Sequence, residues 1–195
     1  MQIRLGLFLL IGFLLMTSCK SEYDKLVRSE MTSGEINEDL IFGLKLGQEK
    51  KEFYNICWQL NSQKLVSQGP SNEMVRYIIK PEEIEGETEE IEMLFYGTFD
   101  QEKIMQGLGM KLSYVGWAPW NEDLHSPELA KKVQPYFMDL YGGNEFIEID
   151  LVKDYKTYVK VDGNRQIVIY PQTTKDVVVR IEDLRYKLSD DSEDI

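Results

Sequence analysis

The chain has 195 residues, with 22 basic and 34 acidic side chains and a formal net charge of −12. Nucleic-acid-binding proteins need a basic surface, so this acidity argues against a nucleic-acid partner. The length is sufficient for one domain with a hydrophobic core, or for two small fused units.

The first 18 residues have the pattern of a cleaved signal peptide. Arg4 precedes a run of apolar residues and glycines at positions 5–15, which is too short to span a bilayer as a helix. Two small residues and Cys19 follow. This pattern resembles the lipobox of bacterial lipoproteins, although Met16 stands where that family usually has leucine. The alternatives are an ordinary secretory signal and an uncleaved anchor helix.

The lipobox resemblance implies that Cys19 carries a diacylglycerol thioether with palmitate-like chains. Such an anchor holds a protein on a membrane without a spanning helix. Lys20 follows the cysteine, in place of the aspartate that retains many lipoproteins in the inner membrane. The expected location is therefore the cell envelope, with the outer membrane favoured and the periplasmic or surface side left open.

Residues 19–38 are polar and include a Thr-Ser-Gly stretch, so they are predicted to form a lipidated flexible tether. Residues 39–121 are predicted to be a first α+β unit. In it, a helix at 48–62 places Phe53 and Cys57 on one apolar face, and strands follow at 74–80, at 91–95 and at 110–117. Residues 81–90 contain six glutamates and are predicted to form an exposed hairpin tip.

A second α+β unit is predicted at residues 122–188. Ser126 and Pro127 have the pattern of a capped helix start, and Gly142 and Gly143 end the helical periodicity. The strands predicted after this helix cover 145–151, 155–161, 165–170 and 176–181. The final residues, 189–195, are predicted to be an acidic disordered tail.

The predicted fold class is α+β, with two helix-plus-antiparallel-meander units and the helices on one face of the sheet. Three features carry a resemblance to known proteins. They are a glycine-containing stretch at 42–47, a helix ending Leu140-Tyr141-Gly142, and a meander containing Tyr158, Ile167 and Val179. The body resembles small Bacteroidota envelope lipoproteins of unassigned function. It also looks like the β-lactamase-inhibitor-protein fold and the small outer-membrane assembly lipoproteins. That resemblance implies a binding or scaffold role.

Trp117 and Trp120 flank a proline-containing turn and are the candidate binding residues. Exposed tryptophans stack on sugar rings or anchor protein interfaces. The alternative, favoured on general grounds, is that both side chains pack into the junction between the two units.

The sequence offers no catalytic residues, metal ligands or cofactor motif that we assign. Asp123 and the only histidine, His125, are too few ligands for a zinc or iron site. The glutamates at 82–92 lack the spacing of a calcium-binding loop. Cys57 is expected to be an inert core residue, because Cys19 is reserved for lipid and the helical pattern places Cys57 inside.

The expected function is therefore that of a membrane-anchored, non-enzymatic lipoprotein that binds an envelope protein through a face of its sheet. One alternative is a carbohydrate-binding lipoprotein that uses exposed tryptophans. A hydrolase with an unrecognised active site is the third and least favoured hypothesis, because no nucleophile lies in a recognisable motif beside a base.

Overall fold

A computed structural model of the protein describes residues 22–152 and 155–186. The predicted signal peptide, Cys19 and the predicted acidic tail lie outside these residues. The described α-helices are α1 (Glu22–Ser33), α2 (Lys50–Ser62) and α3 (Ser126–Tyr141). Among the described helices, none has the length and apolar character needed to cross a membrane.

The described strands form one continuous antiparallel sheet. They are β1 (Ser67–Gln68), β2 (Val75–Ile79), β3 (Ile91–Phe99), β4 (Met105–Tyr114), β5 (Ile147–Val152), β6 (Tyr155–Asp162), β7 (Arg165–Pro171) and β8 (Val177–Asp183). Their order across the sheet is β1-β2-β3-β4-β8-β7-β6-β5. The last strand, β8, therefore pairs with β4 on one side and with β7 on the other. The α+β class is confirmed.

The main hydrophobic core lies between one face of the sheet and helices α2 and α3. Alternating residues of β3, β4, β8 and β7 form this face, as in the cross-strand row Phe95, Met110, Val179 and Ile169. Phe53 and Cys57 of α2 belong to the same core. Helix α3 contributes the largest helical share, consisting of Leu129, Ala130, Val133, Tyr136 and Phe137.

Helix α1 packs on the opposite face of the sheet. The sequence predicts a flexible tether, and no helix, for the residues of α1. Val27 joins a second hydrophobic cluster with Val159, Val161 and Leu184, and Tyr23 donates a hydrogen bond to Gln166 Oε1 at 2.6 Å. The tether interpretation does not hold for residues 22–33, because an apolar stripe on α1 finds a partner surface on the sheet. The prediction that the helices share one face holds for α2 and α3 but not for α1, which lies on the opposite face of the sheet.

The ends of α3 follow local sequence signals, with one difference. Pro127 occupies the first turn, and Gly142 ends the helix at φ 58°, a conformation that favours glycine. Ser126, expected as the capping residue, is instead the first helical residue. Its hydroxyl donates to the carbonyl of Thr173, in the turn between β7 and β8. The side chain therefore fastens the helix start to the sheet.

Candidate functional site

One part of the sheet carries no helix among the described residues. We call it the open face; it lies on the α1 side of the sheet and consists of Leu94, Tyr96, Thr98, Gly107, Gly109, Lys111, Val178, Arg180 and Glu182. Helix α1 packs beside it, over β6 and its neighbours, and leaves β3, β4 and β8 uncovered. Leu94 belongs to neither hydrophobic cluster although its side chain is buried by neighbouring residues.

A shallow trough crosses the open face because its central strand, β4, carries two glycines. Gly109 lies opposite Tyr96 and Arg180, and Gly107 lies opposite Thr98 and Glu182. A Cβ atom on Gly109 would lie 2.5 Å from the Tyr96 ring, and one on Gly107 would lie 2.5 Å from the Ile181 carbonyl oxygen. Gly109 thus lets the Tyr96 ring lie close against β4, where both residues line a depression of about 270 Å³.

The open face combines aromatic, aliphatic and charged groups. The Tyr96 side chain is 36% exposed, and Arg180 lies 5.8 Å from the centre of the Tyr170 ring. Glu182 accepts a hydrogen bond from Gln166 Nε2 at 3.1 Å. Lys111 forms an ion pair with Asp176 at 3.0 Å. Tyrosine and arginine are enriched at protein interfaces, and polar groups are common at their rim.

The two candidate tryptophans occupy different environments. Trp117 is half-buried against the main core, and its ring centre lies 6.2 Å from that of His125. Its indole Nε1 is buried and has no hydrogen-bond partner among the described residues. Trp120, by contrast, is 84% exposed. The structure therefore does not present the two rings together as one exposed stacking surface.

Asp123 and His125 lie just before the start of α3, in the loop that follows Trp120. His125 Nε2 lies 3.2 Å from the carbonyl oxygen of Pro119, and Asp123 is exposed to solvent. Within residues 22–152 and 155–186, no group of three or more His, Cys, Asp or Glu side chains is arranged to hold a metal ion.

The glutamate-rich loop connects the antiparallel strands β2 and β3 and is mostly exposed, as predicted for residues 81–90, but two of its side chains are turned inward. Ile84 is buried, and the Glu87 side chain is only 2% exposed. Glu87 accepts hydrogen bonds from the Tyr114 hydroxyl at 2.7 Å and from Lys132 Nζ at 3.2 Å. Burial raises its pKa, but the hydrogen bonds from Tyr114, Thr88 N–H, Glu89 N–H and Lys132 outweigh this effect and lower the pKa. Glu87 therefore attaches the loop to β4 and α3.

Cys57 is buried in the main core, as expected, and is a free thiol. Burial raises its pKa to about 11. The thiolate, which is the reactive form, is therefore scarce at neutral pH.

Helix α2 exposes two aromatic side chains that the sequence analysis did not select. Tyr54 and Trp58 lie one turn apart, and Trp58 is 73% exposed. The sequence indicates this exposed pair by a spacing of four residues, which places both on one side of the helix. Each residue comes one position after a buried one, Phe53 or Cys57. Together with β1 and β2 they border a groove of about 480 Å³.

Comparison with known proteins gives no family assignment. No family model matches the chain, and no curated protein matches it. Among solved structures, the chain is similar to YjgB from Bacillus subtilis subsp. subtilis str. 168, a DUF4309 family protein. The alignment has 14% identity and a TM-score of 0.31, and covers 82% of this chain and 96% of that one. A likeness at this level carries no argument about fold or function.

Proposed function

We propose that this protein is a lipid-anchored envelope lipoprotein whose body binds another protein through the open face. The observation that carries the proposal is the trough around Gly107 and Gly109, with Tyr96 across it and Arg180 and Glu182 beside it. Aromatic side chains bring a large contact area at low entropic cost, and flanking charges orient a partner. The role is non-enzymatic.

The proposed location depends on Cys19. A lipid on this cysteine would hold the body close to a membrane, and the residue after it favours the outer membrane. The chain's strong negative charge supports a body that stays soluble beside anionic lipid, because like charges repel.

We further infer that the body consists of two helix-plus-meander units. In this interpretation α2 belongs with β1–β4, and α3 belongs with β5–β8. The order of elements along the chain supports it, since a helix precedes each set of strands. The open face would then extend across the junction, because it includes β3 and β4 from one unit and β8 from the other.

Site-specific crosslinking in the native host tests the protein-binding proposal. The photoreactive residue p-benzoylphenylalanine is placed at position 98, an exposed point on the open face, in the full-length chain. A matched control carries it at position 131, an exposed point on α3. We expect a discrete protein adduct from position 98 alone. Identical adducts from both positions, or none from position 98, would contradict the proposal.

A carbohydrate-binding role is the second candidate, and the exposure of Trp120 is the observation that favours it. A single tryptophan face can stack on a sugar ring. A glycan array with the full-length protein tests this role. Selective binding that Trp120→Ala abolishes, and that Trp58→Ala leaves intact, would favour carbohydrate over protein as the ligand.

A further inference from the structure

The outer edge of strand β2 extends beyond its neighbour β1. β1 has two residues, and its pairing covers only Val75 and Arg76 of β2. The N–H of Gly69 donates to the carbonyl of Met74 at 2.8 Å, so the backbone groups of Met74 point toward β1. The backbone N–H and C=O groups of successive residues point to opposite sides of a strand, so those of Ile78 point to the same side as those of Met74. At Ile78 they lie past the end of β1. Among the described residues these groups have no backbone partner, so they form a short open sheet edge.

A groove accompanies this edge because the chain before β1 diverges from β2. Lys64 adopts a left-handed conformation with φ 61°, and the N–H of Leu65 donates to the Leu60 carbonyl at 3.0 Å. The groove has a volume of about 600 Å³ and is lined by Leu65, Val66, Tyr77 and Ile78 among others. The Leu65 side chain is 53% exposed. The space is suited to a few residues of extended chain.

The charges around the groove are mainly positive, although the whole chain is strongly negative. Its charged lining residues are Lys64, Arg76, Lys80 and Glu83. Glu83 is already engaged, since its carboxylate accepts hydrogen bonds from the Lys80 N–H and the Tyr77 hydroxyl, both at 2.8 Å. Arg76 is paired with Glu92. The exposed ammonium groups of Lys64 and Lys80 remain to attract an acidic ligand.

Glu83 also limits the length of the available edge. Its carboxylate accepts a hydrogen bond from the Lys80 N–H, which is the next backbone donor on this edge after that of Ile78. The Lys80 N–H is therefore not available to a partner strand. Blocking of this kind is a common way to protect a strand end from unselective pairing. The open segment is therefore short and specific, with Ile78 at its centre.

We propose that an extended acidic segment of a partner protein adds to the outer edge of β2 at Ile78. Its backbone pairs with the N–H and carbonyl of Ile78, its apolar side chains contact Leu65, and its carboxylates face Lys64 and Lys80.

Fluorescence anisotropy with the full-length protein tests the proposal. The probe is a fluorescein-labelled Val-Glu-Val-Glu-Val-Glu peptide, and its counterpart has lysine in place of glutamate. We expect binding of the acidic peptide only, with affinity lowered about tenfold or more by Lys64→Glu/Lys80→Glu. Lys25→Glu/Lys131→Glu makes the same change in net charge at exposed positions on α1 and α3, and should leave affinity within about twofold.

A second variant tests the backbone contact. Ile78→Pro removes an N–H that points away from β3, and proline is tolerated on edge strands, so it should weaken binding while the circular dichroism spectrum stays unchanged. Absent binding of the acidic peptide, equal binding of both peptides, or insensitivity to Lys64→Glu/Lys80→Glu would overturn the proposal. A dimer in sedimentation that Ile78→Pro dissociates would overturn it too, because a second copy would then occupy the edge.

Discussion

Lys160 is a lysine with no solvent exposure, on the core-facing side of β6. Its Nζ lies 2.7 Å from Asp162 Oδ2 and donates to the carbonyls of Gly142 and Asn144, just after the end of α3. Asp162 in turn accepts the backbone N–H of Asn144 at 2.7 Å. This buried network connects the end of α3 to the β6–β7 hairpin. It fixes where the helix ends relative to the sheet.

Lys160→Met should lower the free energy of unfolding by about 3–5 kcal/mol, because it removes the nearer of the two cations beside the buried Asp162 carboxylate and leaves only Arg165, at 3.7 Å. Lys156→Met is the matched control on the same strand, since Lys156 is exposed and its ion pair with Glu148 is at the surface. Lys156→Met should lower the free energy of unfolding by less than about 1 kcal/mol. Urea denaturation measures both, and equal losses would contradict a special role for Lys160.

Glu87 should make stability depend on pH in the acid range. Its pKa in the folded protein is below the ordinary value of 4.5, so its contribution is complete above pH 4.5 and is lost as the pH falls through the lowered pKa. We expect Glu87→Gln to cost about 1–3 kcal/mol at pH 7. The difference in the free energy of unfolding between wild type and variant should become smaller as the pH falls toward 3.

Thermal unfolding at a series of pH values measures this difference. Glu85→Gln is the control, because Glu85 is an exposed residue of the same loop. A constant difference between wild type and Glu87→Gln across the pH range would show that Glu87 does not contribute through its charge.

Among the secondary-structure elements, those with strong local signals matched their predictions closely. The helix predicted at 48–62 is α2 (Lys50–Ser62), and the glycine pair after α3 marks its end. Strand β4 (Met105–Tyr114) begins five residues before the predicted 110, because Gly107 and Gly109 were not recognised as strand residues. Glycine is unfavourable in strands by propensity alone, and here it is needed for the close approach of Tyr96 and of the Ile181 backbone.

The sequence does not predict helix α1, because residues 19–38 are mostly polar and their few apolar residues give only a weak helical periodicity. Tyr23, Leu26, Val27 and Met31 have helical spacing, and all of them belong to or pack on the second hydrophobic cluster. Such a sparse apolar stripe stabilises a helix only when a partner surface is available. That surface is formed by strands more than 100 residues away, so the local sequence does not reveal it.

We expect Val27→Asp to detach α1 while the sheet stays folded, because the carboxylate cannot be buried against Val159 and Val161. Hydrogen exchange should show α1 amides exchanging at least about tenfold faster, with protection in β7 and β8 retained. Arg28→Asp, at an exposed position of the same helix, should leave α1 protected. Unchanged α1 protection in Val27→Asp would contradict this packing role.

At the scale of the whole molecule, the sequence predicted the α+β class but not which residues form the open face. Individual strands carry local signals of alternation, whereas the pairing of β4 with β8 joins residues about 70 positions apart. That pairing places Gly109 beside Arg180 and creates the trough. A sheet-face interaction can therefore be proposed from the sequence, whereas the residues of the open face become apparent only in the structure.

The proposed lipid anchor would act on the whole molecule, and Cys19→Ser should remove it. Two or more acyl chains give durable membrane attachment, at about 0.8 kcal/mol per buried CH₂ group. We expect palmitate labelling and detergent-phase partitioning of the wild-type protein, and loss of both in Cys19→Ser. Cys57→Ser is the control that should stay labelled, because Cys57 is buried in the core. Unlabelled wild-type protein would remove the basis for the proposed envelope location.

The central position of β8 has a consequence for how the chain is made. β8 is synthesised after all the other described strands, yet it inserts between β4 and β7. Until residues 177–183 have been synthesised, the inner edges of both neighbours lack their partner and the main core is incomplete. A chain that lacks residues 177–183 should therefore remain sensitive to proteases and prone to aggregation.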